Sequence, residues 1–123
     1  IEEIETHFSH AYWCTCPKAN WYIEQRLPNY DLWREKNLKI TIGTDSLASN
    51  DSLNVLEEIK MIQKNYPHIP TNELLIWACK NGAEFFNYDE LGSFEAGSKP
   101  GVVLIEHVIG LQLTENSKVT VLA

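Results

Sequence analysis

The sequence lacks the features that would suit it to nucleic acid, to a membrane or to an oxidising compartment. Seventeen Asp and Glu outnumber ten Lys and Arg, and the scattered basic residues form no stripe that would follow a nucleic-acid backbone. No apolar run approaches the ~20 residues of a membrane span. Only three cysteines are present, and this odd number, without a secretion signal, predicts free thiols in the reducing cytoplasm.

The chain does not begin with methionine, and it is short. It begins at Ile1 and has 123 residues, which is enough for one modest domain. We therefore expect it to begin inside a longer polypeptide or to have been trimmed. Its hydrophobic content of 44% is ordinary for a globular protein and argues against disorder.

The first half of the chain predicts two neighbouring strands of a parallel α/β array. Residues 10–16 are aromatic and β-prone, and residues 38–42 alternate between apolar and polar side chains. A short helix capped by Asp31 is predicted between them over residues 31–36, and residues 20–27 are predicted to be irregular. Because parallel strands need cover on both faces, two of them cannot form a stable sheet alone, and further strands are expected upstream.

A helix with one apolar stripe is predicted after the second strand. Apolar side chains recur there at helical spacing: Leu53, Leu56, Ile59 and Ile62. Glu57, Glu58 and Lys60 lie beside this stripe. Thr71 is a predicted N-cap for the next helix. The array is expected to occupy residues 1–90.

The remainder, residues 91–123, is rich in turns and strand-like segments. Residues 102–105 and 119–122 predict strands, and residues 111–113 predict a third one. With no helices between them, these strands suit a separate antiparallel element.

Asp45 is the main candidate for chemistry. It follows the predicted strand at 38–42 in the segment Gly43-Thr44-Asp45-Ser46, and α/β barrels place their active sites in such loops. The alternative is an Asp that caps a helix or closes an Asx-turn, and the pattern alone favours that alternative. Ser46 has no His or Lys nearby in sequence and no G-x-S-x-G elbow, which disfavours a serine nucleophile.

Cys14 and Cys16 should share one face of the first strand, since side chains alternate along it. A zinc site with His7 or His10 is conceivable, but C-x-C with loose histidines is no closed four-ligand pattern. Buried, inert cysteines are the preferred interpretation.

Four segments together resemble the amidohydrolase superfamily, in the branch of chlorohydrolases and of guanine-, cytosine- and aminofutalosine-type deaminases. A C-P-x-S/A-N motif after strand seven and a G-T-D motif after strand eight are typical of that branch. The segments are Cys14–Asn20, Ile42–Asn50, Trp77–Ala83 and Gly92–Ile105. The resemblance implies an α/β fold, with the last two β/α units of a TIM-type (β/α)8 barrel over residues 1–90. Strands of a small β-sandwich would follow over residues 91–123.

The resemblance also implies a function. The full-length parent would be a metal-dependent hydrolase of C–N bonds other than peptide bonds, deaminating a purine-like or related nitrogen heterocycle. Asp45 would bind a divalent zinc or iron ion and transfer the proton, and Asn20, Trp21 and Ser46 would contact the small-molecule substrate. A loop-stabilising Asn20 is about as well supported as a ligand-binding one.

The family's H-x-H motif and its other metal-binding histidines would lie upstream of this chain. The isolated chain is therefore expected to hold no metal and to be inactive. The alternative is a non-catalytic binding or structural module that self-associates through open sheet edges, as a homo-oligomer.

Overall fold

The structure of the chain, a computed structural model, describes residues 1–8 and 10–123. Helices and strands alternate in its first half, and a hairpin lies near its end. The elements are α1 (Glu2–His7), β1 (Tyr12–Thr15), α2 (Pro17–Glu24), α3 (Tyr30–Glu35), β2 (Lys39–Ile42), α4 (Val55–Asn65), α5 (Thr71–Leu75), a π-helical turn (Ile76–Lys80), α6 (Asn81–Phe85), β3 (Val103–Glu106) and β4 (Lys118–Val121). No helix in these described residues has the length and apolar character that crossing a membrane requires.

Strands β1 and β2 are parallel neighbours, which confirms the predicted pairing. Their register runs from Tyr12 opposite Lys39 to Thr15 opposite Ile42. The pairing extends one residue further, because the Gly43 N–H donates to the Thr15 carbonyl at 2.9 Å. Both carboxyl ends therefore lie at the same edge of the sheet.

Two helices, not one, connect these strands. Residues 20–27 were predicted to be irregular, but α2 begins directly after β1 with Pro17 in its first turn, where a missing N–H costs nothing. The predicted Asp31 cap is also wrong. Asn29 caps α3 by accepting the Leu32 N–H at 3.1 Å, and Asp31 lies in the first turn.

The core lies between the parallel strands and the helices that follow them. It consists of eight buried side chains: Tyr30, Ile40, Ile42, Ile59, Ile62, Ile69, Leu74 and Trp77. The predicted stripe of α4 is confirmed for Leu56, Ile59 and Ile62, whereas Leu53 precedes the helix and is 59% exposed. Glu58, which lies beside this stripe, has a fully buried side chain.

The segment from α5 to α6 is a continuous helical stretch that packs beside β2. Pro70, not the predicted Thr71, occupies the N-cap position, and no side chain caps α5. The Asn81 side chain donates to the Ile40 carbonyl at 2.6 Å, which supports the edge of β2 that faces away from β1.

Strands β3 and β4 form an antiparallel pair, with Val103 opposite Val121 and Glu106 opposite Lys118. The predicted third strand at residues 111–113 is wrong, because only an isolated bridge between Ile109 and Gln112 forms in that region. Within the described residues this sheet has two strands, and most of its side chains are exposed.

Candidate functional site

Asp45 lies beyond β2 at the edge where β1 also ends. Its backbone lies beside the Cys16 thiol, which follows β1, and its N–H acts to lower the pKa of that thiol. Gly43 permits this close approach, because a Cβ there would lie 3.2 Å from Cys16 Sγ and 3.4 Å from Cys14 Sγ. The segments that follow the two parallel strands therefore approach each other at Asp45.

The Asp45 backbone is left-handed, with φ of 56°. Asp tolerates this conformation better than most residues do, but it persists only where neighbouring groups hold it. The exposed carboxylate is held through Oδ2, which accepts the Ser49 hydroxyl at 2.7 Å. This contact leaves the carboxylate open to solvent while orienting it.

The Asn50 side chain stabilises the same loop through three hydrogen bonds. Its side-chain amide donates to the Thr44 carbonyl at 2.8 Å and to Glu58 Oε1 at 2.5 Å, and its oxygen accepts the Ser52 N–H at 3.2 Å. Sequence reasoning placed Asn50 in the loop and missed Glu58, whose only sequence signal is its position next to the apolar stripe of α4.

The three predicted substrate-contacting residues lie around this edge in different environments. Asn20 is half-buried in α2, and its side-chain oxygen accepts the Thr15 hydroxyl at 3.3 Å, which is the loop-stabilising contact. Trp21 follows on α2 and is 41% exposed. Ser46 is exposed beside Asp45, and its hydroxyl oxygen accepts the Ala48 N–H at 3.3 Å.

The two cysteines share one face of β1, as predicted, since both thiols lie against Gly43. The prediction of buried cysteines is wrong for Cys14, which is exposed, whereas Cys16 is half-buried. Burial, with the nearby Cys14 thiol, raises the pKa of Cys16 to about 11, although the Asp45 N–H opposes this shift.

Cys16 should therefore alkylate slowly while the protein is folded. Against an ordinary thiol pKa of 9.0, a value of about 11 lowers the thiolate fraction at pH 8 roughly 100-fold. We expect iodoacetamide to label exposed Cys14 first, and Cys16 labelling to rise only as the pH approaches 11 or when urea unfolds the chain. Tandem mass spectrometry locates each adduct. Equal labelling of both cysteines at pH 8 in folded protein would contradict the assignment.

The donor set at this edge is incomplete for a metal ion. Among the side chains that the structure describes, no three from His, Cys, Asp or Glu group closely enough to hold a metal ion together. Protein zinc sites use three or four protein ligands. The described residues thus fit one carboxylate ligand, Asp45, of a site whose other ligands would have to come from elsewhere.

An apolar cleft of about 680 Å³ lies away from these residues. It is lined by side chains between Leu75 and Ile105, among them Phe86, Leu91 and Phe94, and includes none of Asn20, Asp45 or Ser46. The polar groups at the end of β2 therefore belong to an open sheet edge and not to this cleft.

The whole chain matches a known protein family, the one that its sequence motifs indicated. The model of the amidohydrolase family matches residues 1–123. The chain belongs to the amidohydrolase family. Within the family it is similar to 5-methylthioadenosine/S-adenosylhomocysteine deaminases. It is 30% identical over 107 residues to that of Halalkalibacterium halodurans, covering 81% of this chain. It is 36% identical over 96 residues to that of Dictyoglomus turgidum, covering 72% of this chain.

The structure is also similar to a solved deaminase. The aminofutalosine deaminase of Helicobacter pylori, crystallised with methylthio-coformycin, superimposes with a TM-score of 0.68 at 26% identity. The match covers 80% of this chain and 24% of that chain. This amidohydrolase chain likewise spans 23% of the Halalkalibacterium relative and 22% of the Dictyoglomus one. Family membership and this likeness imply a fold of the TIM-barrel superfamily.

Proposed function

We propose that this chain is the C-terminal part of a longer metal-dependent deaminase that acts on a purine-like nucleoside. The observation that carries the proposal is Asp45 itself, an oriented, solvent-open carboxylate at the shared carboxyl edge of two parallel strands. Barrel enzymes of this kind carry their chemistry at that edge. The names of the similar proteins, which are deaminases of adenosine-type compounds, support the substrate class.

Hydrolytic deamination needs a group that moves a proton. Water adds to the ring carbon that bears the amino group, the C–N bond breaks, and ammonia leaves as an oxygen takes its place. In our proposal the Asp45 carboxylate accepts the proton from water and returns it to the leaving nitrogen. The Ser49 hydroxyl, at 2.7 Å from Oδ2, keeps the carboxylate oriented for both transfers.

Asp45 would also be one ligand of a divalent zinc or iron ion. Such a metal, when bound, lowers the pKa of water toward neutrality. The remaining ligands would come from parts of the longer polypeptide outside this chain, since no group of three ligand side chains forms among the described residues. We further propose that Trp21, Asn20 and Ser46 contact the substrate, with the exposed indole of Trp21 available for stacking on a nucleobase.

The proposed division of the chain follows from the same interpretation. Residues 1–90 would form the last two β/α units of the barrel, with β1 and β2 as its strands seven and eight. Residues 91–123 would contribute the β3–β4 pair to a small β-sandwich. The antiparallel register of that pair and its exposed side chains suit an element that packs against further strands.

The proposal is tested by ammonia release and metal analysis on two proteins, the isolated 123-residue chain and the full-length protein. The substrates are 5-methylthioadenosine, S-adenosylhomocysteine and aminodeoxyfutalosine. We expect ammonia from the full-length protein with at least one of them, loss of turnover after chelation and recovery with zinc or iron. The isolated chain should hold no stoichiometric metal and release no ammonia, because one carboxylate binds zinc weakly. Ammonia release by the isolated chain would contradict the proposal.

One observation favours a second candidate, a structural module that associates with copies of itself. Each described sheet has two strands, so every strand keeps one edge without a strand partner in the described residues. Large apolar side chains near β3 are also exposed, such as Phe94 at 80% and Leu111 at 86%. A full-length protein without deaminase activity that forms stable oligomers through residues 91–123 would favour this candidate.

A further inference from the structure

We propose that Glu58 is a positioning residue for Asp45, acting through Asn50 and the peptide between Thr44 and Asp45. This inference rests on the proposed function, because it assumes that the geometry of Asp45 governs metal binding and turnover. Glu58 lies on α4 and makes no contact with Asp45 itself in the described contacts, so its role would be indirect.

The environment of Glu58 is unusual for a carboxylate. Its side chain is fully buried beside the apolar stripe of α4, where an apolar residue would simply extend the stripe. A buried carboxylate is costly unless both of its oxygens find donors. Here Oε2 accepts the backbone N–H of Lys18 at 2.8 Å, and Oε1 accepts the Asn50 amide at 2.5 Å.

These two contacts join the segments that follow the two parallel strands. Lys18 lies in the first turn of α2, directly after β1, and Asn50 lies in the loop after β2. The ammonium of Lys18 pairs with Asp51 at the surface, so the Lys18 contact of Glu58 is made through the backbone. The Glu58 carboxylate therefore links the start of α2 to the loop that carries Asp45.

Asn50 links Glu58 to the peptide that directly precedes Asp45. Its amide donates to the Thr44 carbonyl at 2.8 Å, and that carbonyl belongs to the peptide unit that joins Thr44 to Asp45. The peptide is thus held through its carbonyl directly before a residue with φ of 56°, a conformation that needs such support. Releasing the Thr44 carbonyl would let the peptide rotate and move the Asp45 carboxylate.

The test compares four variants of the full-length protein: Glu58→Gln, Asn50→Ala, the double variant and Glu57→Gln. Gln at position 58 has nearly the same shape but presents one acceptor and one NH2 group, so either the Lys18 N–H or the Asn50 amide loses its acceptor. Glu57→Gln is the matched control, because Glu57 lies on the same helix and its partly exposed side chain pairs with Lys60 at 2.8 Å. The measurements are kcat, KM, zinc affinity by chelator competition and the thermal midpoint.

We expect Glu58→Gln and Asn50→Ala each to lower zinc affinity or kcat by about 10–100-fold, as loss of outer support for a metal ligand does. KM should change little, and Glu57→Gln should match the unmodified protein. Because both residues act along one route, the double variant should lose no more than the worse single variant. If Glu58→Gln fails to fold, Asn50→Ala, which changes a half-buried loop residue, carries the test alone.

A lower thermal midpoint with unchanged kcat and zinc affinity would show a merely structural role and overturn the inference. Fully additive losses in the double variant would overturn the route through Asn50. Asp45→Asn, measured alongside, separates the two levels of the argument. If it leaves ammonia release unchanged, the proposed function fails and the positioning role fails with it. If it stops turnover while Glu58→Gln and Asn50→Ala do not, only the positioning role is wrong.

Discussion

Replacing Asp45 with Asn in the full-length protein should lower kcat for ammonia release by roughly 10²–10⁴-fold, the usual contribution of a general acid–base group. Asn has nearly the same shape and also tolerates the left-handed φ of 56°, so the loop should keep its conformation. What is lost is the negative charge and the ability to take and return a proton. Steady-state ammonia release together with metal content measures both losses.

Asp51→Asn is the matched control for this substitution. Asp51 lies on the same loop and is also a carboxylate, but it is exposed and pairs with the Lys18 ammonium. An exposed ion pair contributes little, so kcat should stay within about twofold of the unmodified value. Equal losses in the two variants would indicate a general effect of charge on the loop and would contradict a specific role for Asp45.

The largest loss of stability is expected from Gly92→Ala. Gly92 has φ of 80°, and a Cβ there would lie 2.8 Å from Ala83 Cβ and 3.0 Å from Lys80 Cα. The left-handed backbone costs an L-residue roughly 1–2 kcal/mol. The clash with the Ala83 Cβ and the Lys80 backbone, neither of which is the end of a flexible side chain, adds about 1–3 kcal/mol. The free energy of unfolding should therefore fall by about 2–5 kcal/mol, measured by urea unfolding followed by tryptophan fluorescence.

Two other glycines separate the causes of this loss. Gly97 has φ of 95° but open space around its Cβ position, so Gly97→Ala should show the backbone cost without the clash. Gly82 lies in α6 with ordinary φ and open space, so Gly82→Ala should stabilise the protein by up to about 1 kcal/mol. If Gly92→Ala and Gly97→Ala lower the free energy of unfolding by the same amount, the close packing of Gly92 on α6 has no energetic effect.

Short-range patterns determined much of the architecture. The alternation around Ile40 and Ile42 predicted β2, and the spacing of Leu56, Ile59 and Ile62 predicted α4, because both patterns reflect which side chains one element can bury. The position of Asp45 directly after β2 followed from the same local signal. The family motifs then indicated the relationship that the family comparison confirmed.

Tertiary structure alone decided the features that depend on residues distant in sequence. Glu58 lies beside the apolar stripe of α4, where nothing local provides a partner for a carboxylate, yet the Lys18 N–H, 40 residues away, and Asn50 make its burial favourable. Cys14 was expected to be buried and is exposed, because alternation along a strand does not determine which elements cover each of its faces. Local patterns report what one element prefers to bury, whereas polar satisfaction inside a core depends on which donors the completed fold brings within hydrogen-bond distance.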